Sequence, residues 1–211
     1  MVVKKNIGII GTGYWGLNLV RNLNKLGVLK VVADKDITRK IKVAEISNEL
    51  IFTNDYKKIL KDDYIIAVVI ATPAKTHYKL VSEALKAGKH VFVEKPICLG
   101  LENGKKILHL SKKMKRKVMV GHLMLYHDAY VNMKKQIERG LIGNIRYIYS
   151  NRLSLGKLRK EEDVLWSFAP HDISMVLNLI KEKLISIEAF GGSYVNKRVK
   201  DTSVTLLKFK K

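Results

Sequence analysis

The sequence predicts an α/β chain: a doubly wound Rossmann domain over residues 1–121, then an α+β domain over residues 122–211 whose mainly antiparallel sheet is expected to be short and incomplete. Three observations carry this expectation. Short apolar runs alternate with helical patterns as far as Gly121, as they do where helices cover both faces of a parallel sheet. The first run ends in Gly11-Thr12-Gly13-Tyr14-Trp15-Gly16. Beyond Gly121, strand patterns follow one another without crossover helices, which favours antiparallel pairing.

Lys4–Ile10 reads as the opening strand. Leu17, Val20, Leu23 and Leu26 recur at helical spacing, and Gly27 closes that helix. Val28–Ala33 is a second strand that ends at Asp34, and Tyr64–Ala71 is a third, bounded by Thr72-Pro73. His77–Ala87 reads as a helix and Lys89–Val93 as a strand leading into Glu94-Lys95-Pro96. A helix over Leu101–Lys113 and a strand over Lys117–Val120 complete the first half. The second half reads as a helix over Ala129–Arg139, a strand over Ile145–Leu153, and a polar loop over Ser154–Asp163. A helix over His171–Ile180 and strands over Ile185–Val195 and Ser203–Phe209 follow.

Composition bounds the function. Among 211 residues, 47% are hydrophobic, enough for a real core. The longest apolar run is far shorter than the ~20 residues that cross a bilayer, and the start shows no signal-peptide pattern, so no membrane partner is expected. A single cysteine, Cys98, rules out an internal disulfide, fits a cytoplasmic setting, and reads as a small packed residue rather than a nucleophile. The net charge of +21 raises nucleic acid as a partner. The lysines, however, are spread along the chain, and only Lys112–Lys117 is dense, at the expected end of a helix. Solvated lysines are therefore the preferred reading, with a field that steers an anionic ligand inward.

The glycine loop carries the chemistry. A dinucleotide pyrophosphate needs close backbone approach and unpaired N–H groups aimed at it. Gly11 makes the tight turn, Gly13 removes a side chain where phosphate approaches, and Gly16 lets helix pack on strand. The helix starting near Tyr14 offers free amides and about half a positive charge, and Trp15 is expected to pack beside the cofactor. Asp34, at the end of the next strand, has the spacing of a carboxylate that grips the ribose hydroxyls, which favours NAD. Lys35 and Arg39 nearby leave NADP as the alternative.

These residues, with IATPAKTHY (Ile70–Tyr78), VFVEKP (Val91–Pro96), VGHLMLYH (Val120–His127) and WSFAPHDISM (Trp166–Met175), resemble the Gfo/Idh/MocA family of oxidoreductases. The resemblance implies an NAD(P)-dependent enzyme acting on a secondary hydroxyl of a sugar, cyclitol or nucleotide-linked sugar. It implies that Thr72, Pro73 and His77 line the nicotinamide half of the site. Glu94 and Lys95 match the EKP segment, whose lysine lies near the nicotinamide and the substrate hydroxyl, and His171 matches the family's catalytic acid or base. The alternative role for His171 is to cap its own helix, with Asp172 in the first turn. His122 and His127 read as packing or hydrogen-bonding residues.

Two departures qualify the resemblance. Ser167 stands where the family usually has an aspartate, four residues before the histidine. The second domain is also short, and its last strand would end as an unpaired edge. These features predict either a homo-oligomer through the second-domain sheet or a truncated gene product. They also keep open a dinucleotide-binding regulator with weak or no catalysis.

Overall fold

Six short strands, β1 (Ile7–Ile10), β2 (Leu29–Ala33), β3 (Ile51–Thr53), β4 (Ala67–Ile70), β5 (His90–Glu94) and β6 (Val118–Gly121), form one sheet in the order β3-β2-β1-β4-β5-β6. Every pairing in it is parallel. The computed structural model describes residues 4–153, 162–195 and 197–210. Two compact units divide the chain, Met1–Gly121 and His122–Lys211.

In the first unit the apolar strand runs split by parity into two cores, because successive strand side chains face opposite sides. Ile9, Val32 and Val69 point to one side, where they meet Leu17 and Val20 of α1 (Tyr14–Lys25) and Val43 of α2 (Arg39–Ala44). Ile10, Val31, Val68 and Ile70 point to the other. There they meet Ile59 of α3 (Lys57–Lys61), Leu80, Val81, Ala84 and Leu85 of α4 (His77–Lys86), and Ile107 of α5 (Leu101–Met114). Strands buried on both faces are expected to be largely apolar, and these are, with Lys30 in β2 and His90 and Glu94 at the ends of β5 as the charged or polar positions.

The expected strand at Tyr64–Ala71 is shorter than its apolar run. Tyr64 and Ile66 are exposed, and the ladder begins only at Ala67, opposite Ile7 and His90. The basic run at Lys112–Lys117 closes α5 as expected, with Lys115 in the left-handed conformation just before β6.

The second unit contains α6 (Asp128–Glu138), α7 (Val164–Leu179) and an antiparallel pair, β7 (Leu184–Gly192) with β8 (Thr202–Phe209). Tyr130 ties the helices together: buried in α6, its hydroxyl lies 2.9 Å from Asn178 Oδ1 and 3.1 Å from the Met175 carbonyl oxygen. Two expectations are corrected here. Residues 145–153 form no strand, although their residues alternate. A strand needs a hydrogen-bonding partner, and among the described residues of this unit only β7 and β8 pair. The second correction concerns α7, which starts at Val164 and not at His171. Asp163 caps it by accepting the Trp166 N–H at 2.9 Å, and Pro170 lies inside the helix. A proline there costs one backbone hydrogen bond, which the cap and the apolar helix tolerate. His171 therefore does not cap its helix. Of the expected polar loop at Ser154–Asp163, residues 154–161 lie outside the described residues.

Candidate dinucleotide site

The strand order reverses between β1 and β4, and in open parallel sheets that switch point is where ligands bind, beyond the carboxyl ends of the strands. The chain leaves β1 through Gly11 at φ +99°, a conformation side chains avoid. A Cβ there would lie 2.6 Å from the Ala71 carbonyl oxygen, so the loops after β1 and β4 touch. A Cβ on Gly16 would overlap the Gly11 carbonyl, which is how closely α1 sits on the turn. Gly13 differs: nothing lies within 4 Å of the position its Cβ would take. No side chain caps α1 at Gly13, so the first-turn amides and the helix's partial positive charge meet that opening. The Tyr14 side chain is exposed.

Asp34 braces this turn. Its Oδ2 accepts from both the Thr12 N–H and the Thr12 hydroxyl, each at 2.7 Å, while Oδ1 accepts the Asp36 N–H at 3.0 Å. Thr12 is fully buried, and this tie is what satisfies it. By lone-pair count, Oδ1 keeps capacity for one more donor. Asp36 in turn accepts from the Thr38 hydroxyl at 2.6 Å and amide at 3.0 Å. Those bonds, with weaker help from Arg39 and Lys35, hold its carboxyl below the usual carboxylate range. Arg39 Nε lies 3.6 Å from Asp36, and Lys35 is exposed.

The far wall comes from the loops after β4 and β5. The Thr72 and Thr76 hydroxyls are 2.6 Å apart, and the Thr76 hydroxyl donates to the Pro73 carbonyl at 2.7 Å. His77 is buried between these loops, with Nε2 2.8 Å from the Thr72 carbonyl oxygen and Nδ1 2.6 Å from that of Pro96. Trp15 Nε1 donates to Glu94 Oε1 at 2.8 Å, tying the glycine loop to the EKP segment. Burial pushes the Glu94 carboxyl up, opposed by the Trp15 bond and by Lys95. Glu94 also explains a glycine that the sequence reading passed over: a Cβ on Gly121 would come 3.0 Å from its Oε1.

The first unit thus gathers Gly11, Gly13, Gly16, Trp15, Asp34, Thr72, Pro73, Glu94 and Lys95 at the carboxyl ends of β1, β2, β4 and β5. His171 belongs to the second unit, in the middle of α7. Beside it, Asp172 accepts from Arg152 Nε at 2.7 Å and Nη2 at 3.2 Å, and from the Ser150 hydroxyl at 2.8 Å. Burial opposes its ionisation, but the Arg152 and Ser150 bonds outweigh that and hold the carboxyl below the usual range. This cluster gave no sequence signal, because Ser150 and Arg152 are distant in the chain and lie where a strand was expected. Ser167 is buried, and its hydroxyl donates to the Asp163 carbonyl at 2.7 Å. His127 Nδ1 accepts the Ala129 N–H at 3.2 Å at the start of α6, and Cys98 is buried with its thiol on the Gly100 carbonyl. Among the described residues, no three His, Cys, Asp or Glu side chains gather as a metal site would require, and no helix is long and apolar enough to cross a membrane.

Comparison with known proteins agrees with this geometry. The model of the Gfo/Idh/MocA oxidoreductase family, described as an NAD-binding Rossmann fold, matches residues 5–122, more than half of the chain. An inositol 2-dehydrogenase of Saccharopolyspora erythraea is 29% identical over 189 residues, covering 86% of this chain and 56% of that protein. The chain therefore spans little more than half the length of such relatives. An NAD-binding protein from Listeria innocua superposes with a TM-score of 0.88 at 24% identity, over 98% of this chain and 64% of that one. A scyllo-inositol dehydrogenase from Lactobacillus casei, solved with NAD(H) and scyllo-inositol, superposes with a TM-score of 0.78 at 20% identity, over 98% of this chain and 66% of that one.

Proposed function

The chain belongs to the Gfo/Idh/MocA oxidoreductase family, and from that premise we propose that it binds NAD and transfers a hydride between that cofactor and a secondary hydroxyl of a sugar, cyclitol or nucleotide-linked sugar. The observation that carries the cofactor half is the open space above Gly13 beside an uncapped helix start, with Asp34 held at the turn by its bonds from Thr12. The α1 amides would hold the pyrophosphate, and Asp34 Oδ1 would accept from a ribose hydroxyl. A 2′-phosphate would meet the Asp34 charge, and Arg39, already beside Asp36, is poorly placed to offset it; this supports NAD over NADP.

Bound NAD supplies the hydride acceptor. Lys95 is assigned to the reacting oxygen, whose negative charge its ammonium stabilises as the hydroxyl proton leaves. His171 is assigned to that proton, which an imidazole can accept and return near neutral pH. The inositol-dehydrogenase relatives support the polyol substrate class. Lys95→Ala should retain NAD binding and lose about 10²- to 10⁴-fold in turnover; wild-type turnover in that variant, on a polyol the protein oxidises, would remove the assignment.

A second reading rests on Ser167, whose hydroxyl is taken by the Asp163 carbonyl and supplies no anionic partner to His171. On it, the chain is a dinucleotide binder with weak or no catalysis, and NAD would bind without absorbance change across a polyol panel. We place self-association on the β7–β8 sheet, where Phe190, Val204 and Leu206 are exposed, and light scattering checks it. The single, buried Cys98 suits a cytoplasmic setting.

A further inference from the structure

His77 is 1% exposed, and the mechanism gives it no proton to move. Its ring lies between two backbone carbonyls, Nδ1 2.6 Å from the Pro96 oxygen and Nε2 2.8 Å from the Thr72 oxygen. Carbonyl oxygens only accept, and a neutral imidazole carries a single N–H. Either neutral tautomer would therefore set a ring lone pair against a carbonyl lone pair at hydrogen-bond distance in a buried place. Only the imidazolium donates to both. Burial opposes that cation. Glu94, on β5, is an acidic group whose charge interacts with it; Lys95 follows in the same loop, and Lys75 and Lys79, on either side of His77 in sequence, are exposed.

We propose that His77 is a doubly protonated positioning residue that clamps the loop after β4 to the loop after β5 and thereby fixes the nicotinamide-side wall and Lys95. The part concerning the wall and Lys95 rests on the dinucleotide reading above. Thr72 precedes Pro73, Pro96 follows Lys95, and α4 begins at His77 itself, so one ring ties three segments. The adenosine side is braced separately, by Asp34 on Thr12. Loss of the clamp should disturb the nicotinamide half and leave the adenosine half intact.

Two measurements test this. In protein labelled with 15N-histidine, NMR at neutral pH should show a proton on both ring nitrogens of His77; a single protonated nitrogen overturns the proposal. In His77→Gln, which cannot donate from both ring positions, the Kd for NAD should rise about tenfold while that for ADP-ribose, which lacks the nicotinamide, stays within about twofold. Equal weakening of both ligands, or no change in either, overturns the positioning role. Should His77→Gln not fold, the wild-type NMR signal decides. Should wild-type protein bind neither ligand, the dinucleotide reading fails, while the NMR result still decides whether the clamp is charged.

Discussion

Replacing Asp34 with asparagine keeps the side chain's size and removes its charge. In the native site Oδ2 takes two donors from Thr12 and Oδ1 takes the Asp36 amide. A carboxamide has one oxygen. If that oxygen stays on Thr12, the NH₂ group faces the Asp36 N–H, so one bond is lost and the other two become neutral. The bond that is lost lies at the exposed Asp36 amide, where water can take its place, while the fully buried Thr12 keeps both of its bonds in weakened form. Hydrogen bonds to charged groups contribute about 1.5–3 kcal/mol and neutral ones about 0.5–1.5 kcal/mol, so each Thr12 bond that becomes neutral costs about 1–1.5 kcal/mol and the fold should lose about 2–3 kcal/mol. For a protein of this size that lowers Tm by about 2–4 °C per kcal/mol. Losing a ribose bond to the anion costs a further ~1.5–3 kcal/mol of binding, or about 10- to 150-fold in the Kd for NAD. NADP affinity should fall less, because the repulsion of its extra phosphate is relieved. Calorimetric titration with each dinucleotide and a thermal melt read both effects. A folded Asp34→Asn variant with native NAD affinity and native preference over NADP would refute the ribose role. An unchanged Tm would refute the brace on Thr12.

The glycines of the turn should separate stability from binding. Gly13→Ala adds a methyl group to open space and should change stability by less than about 0.5 kcal/mol, yet weaken NAD at least about tenfold, as titration would show. Gly11→Ala should instead cost about 3 kcal/mol or more in urea unfolding, from positive φ and the clash with Ala71. Leu85→Ala, at a fully buried core position, should lose about 2–5 kcal/mol in the same assay; a loss under about 1 kcal/mol would contradict the packing. Asp172 has a folded carboxyl held below its ordinary value of 3.8, so its contribution is present above that value and drains away as pH falls through the lower, folded one. Asp172→Asn should therefore flatten the acid limb of a stability-versus-pH curve, and an unchanged limb would show that the Arg152 pairing adds nothing.

Much of the first unit was legible in the sequence because its signals are local. Each buried strand is a short apolar run, each crossover helix repeats at helical spacing, and the glycine turn lies where strand passes to helix. The edge strand β3 and the short helices α2 and α3 escaped, being only three to six residues long and too brief for periodicity to register. The start of α7 was misplaced because Pro170 carries a strong local preference for a first turn, while the cap that sets the start, Asp163, lies seven residues upstream.

By itself, the sequence determined the doubly wound class, the glycine turn from strand to helix and the place of Asp34 at the end of the next strand, since each depends on residue type at fixed spacing along one segment. The tertiary structure alone decided what these groups touch. Asp34 braces Thr12 across 22 residues, Trp15 reaches Glu94 across 79, Asp172 takes Arg152 and Ser150, and His77 bridges the Thr72 and Pro96 carbonyls. Such contacts join segments brought together only when the chain folds, and no periodicity within either segment encodes them.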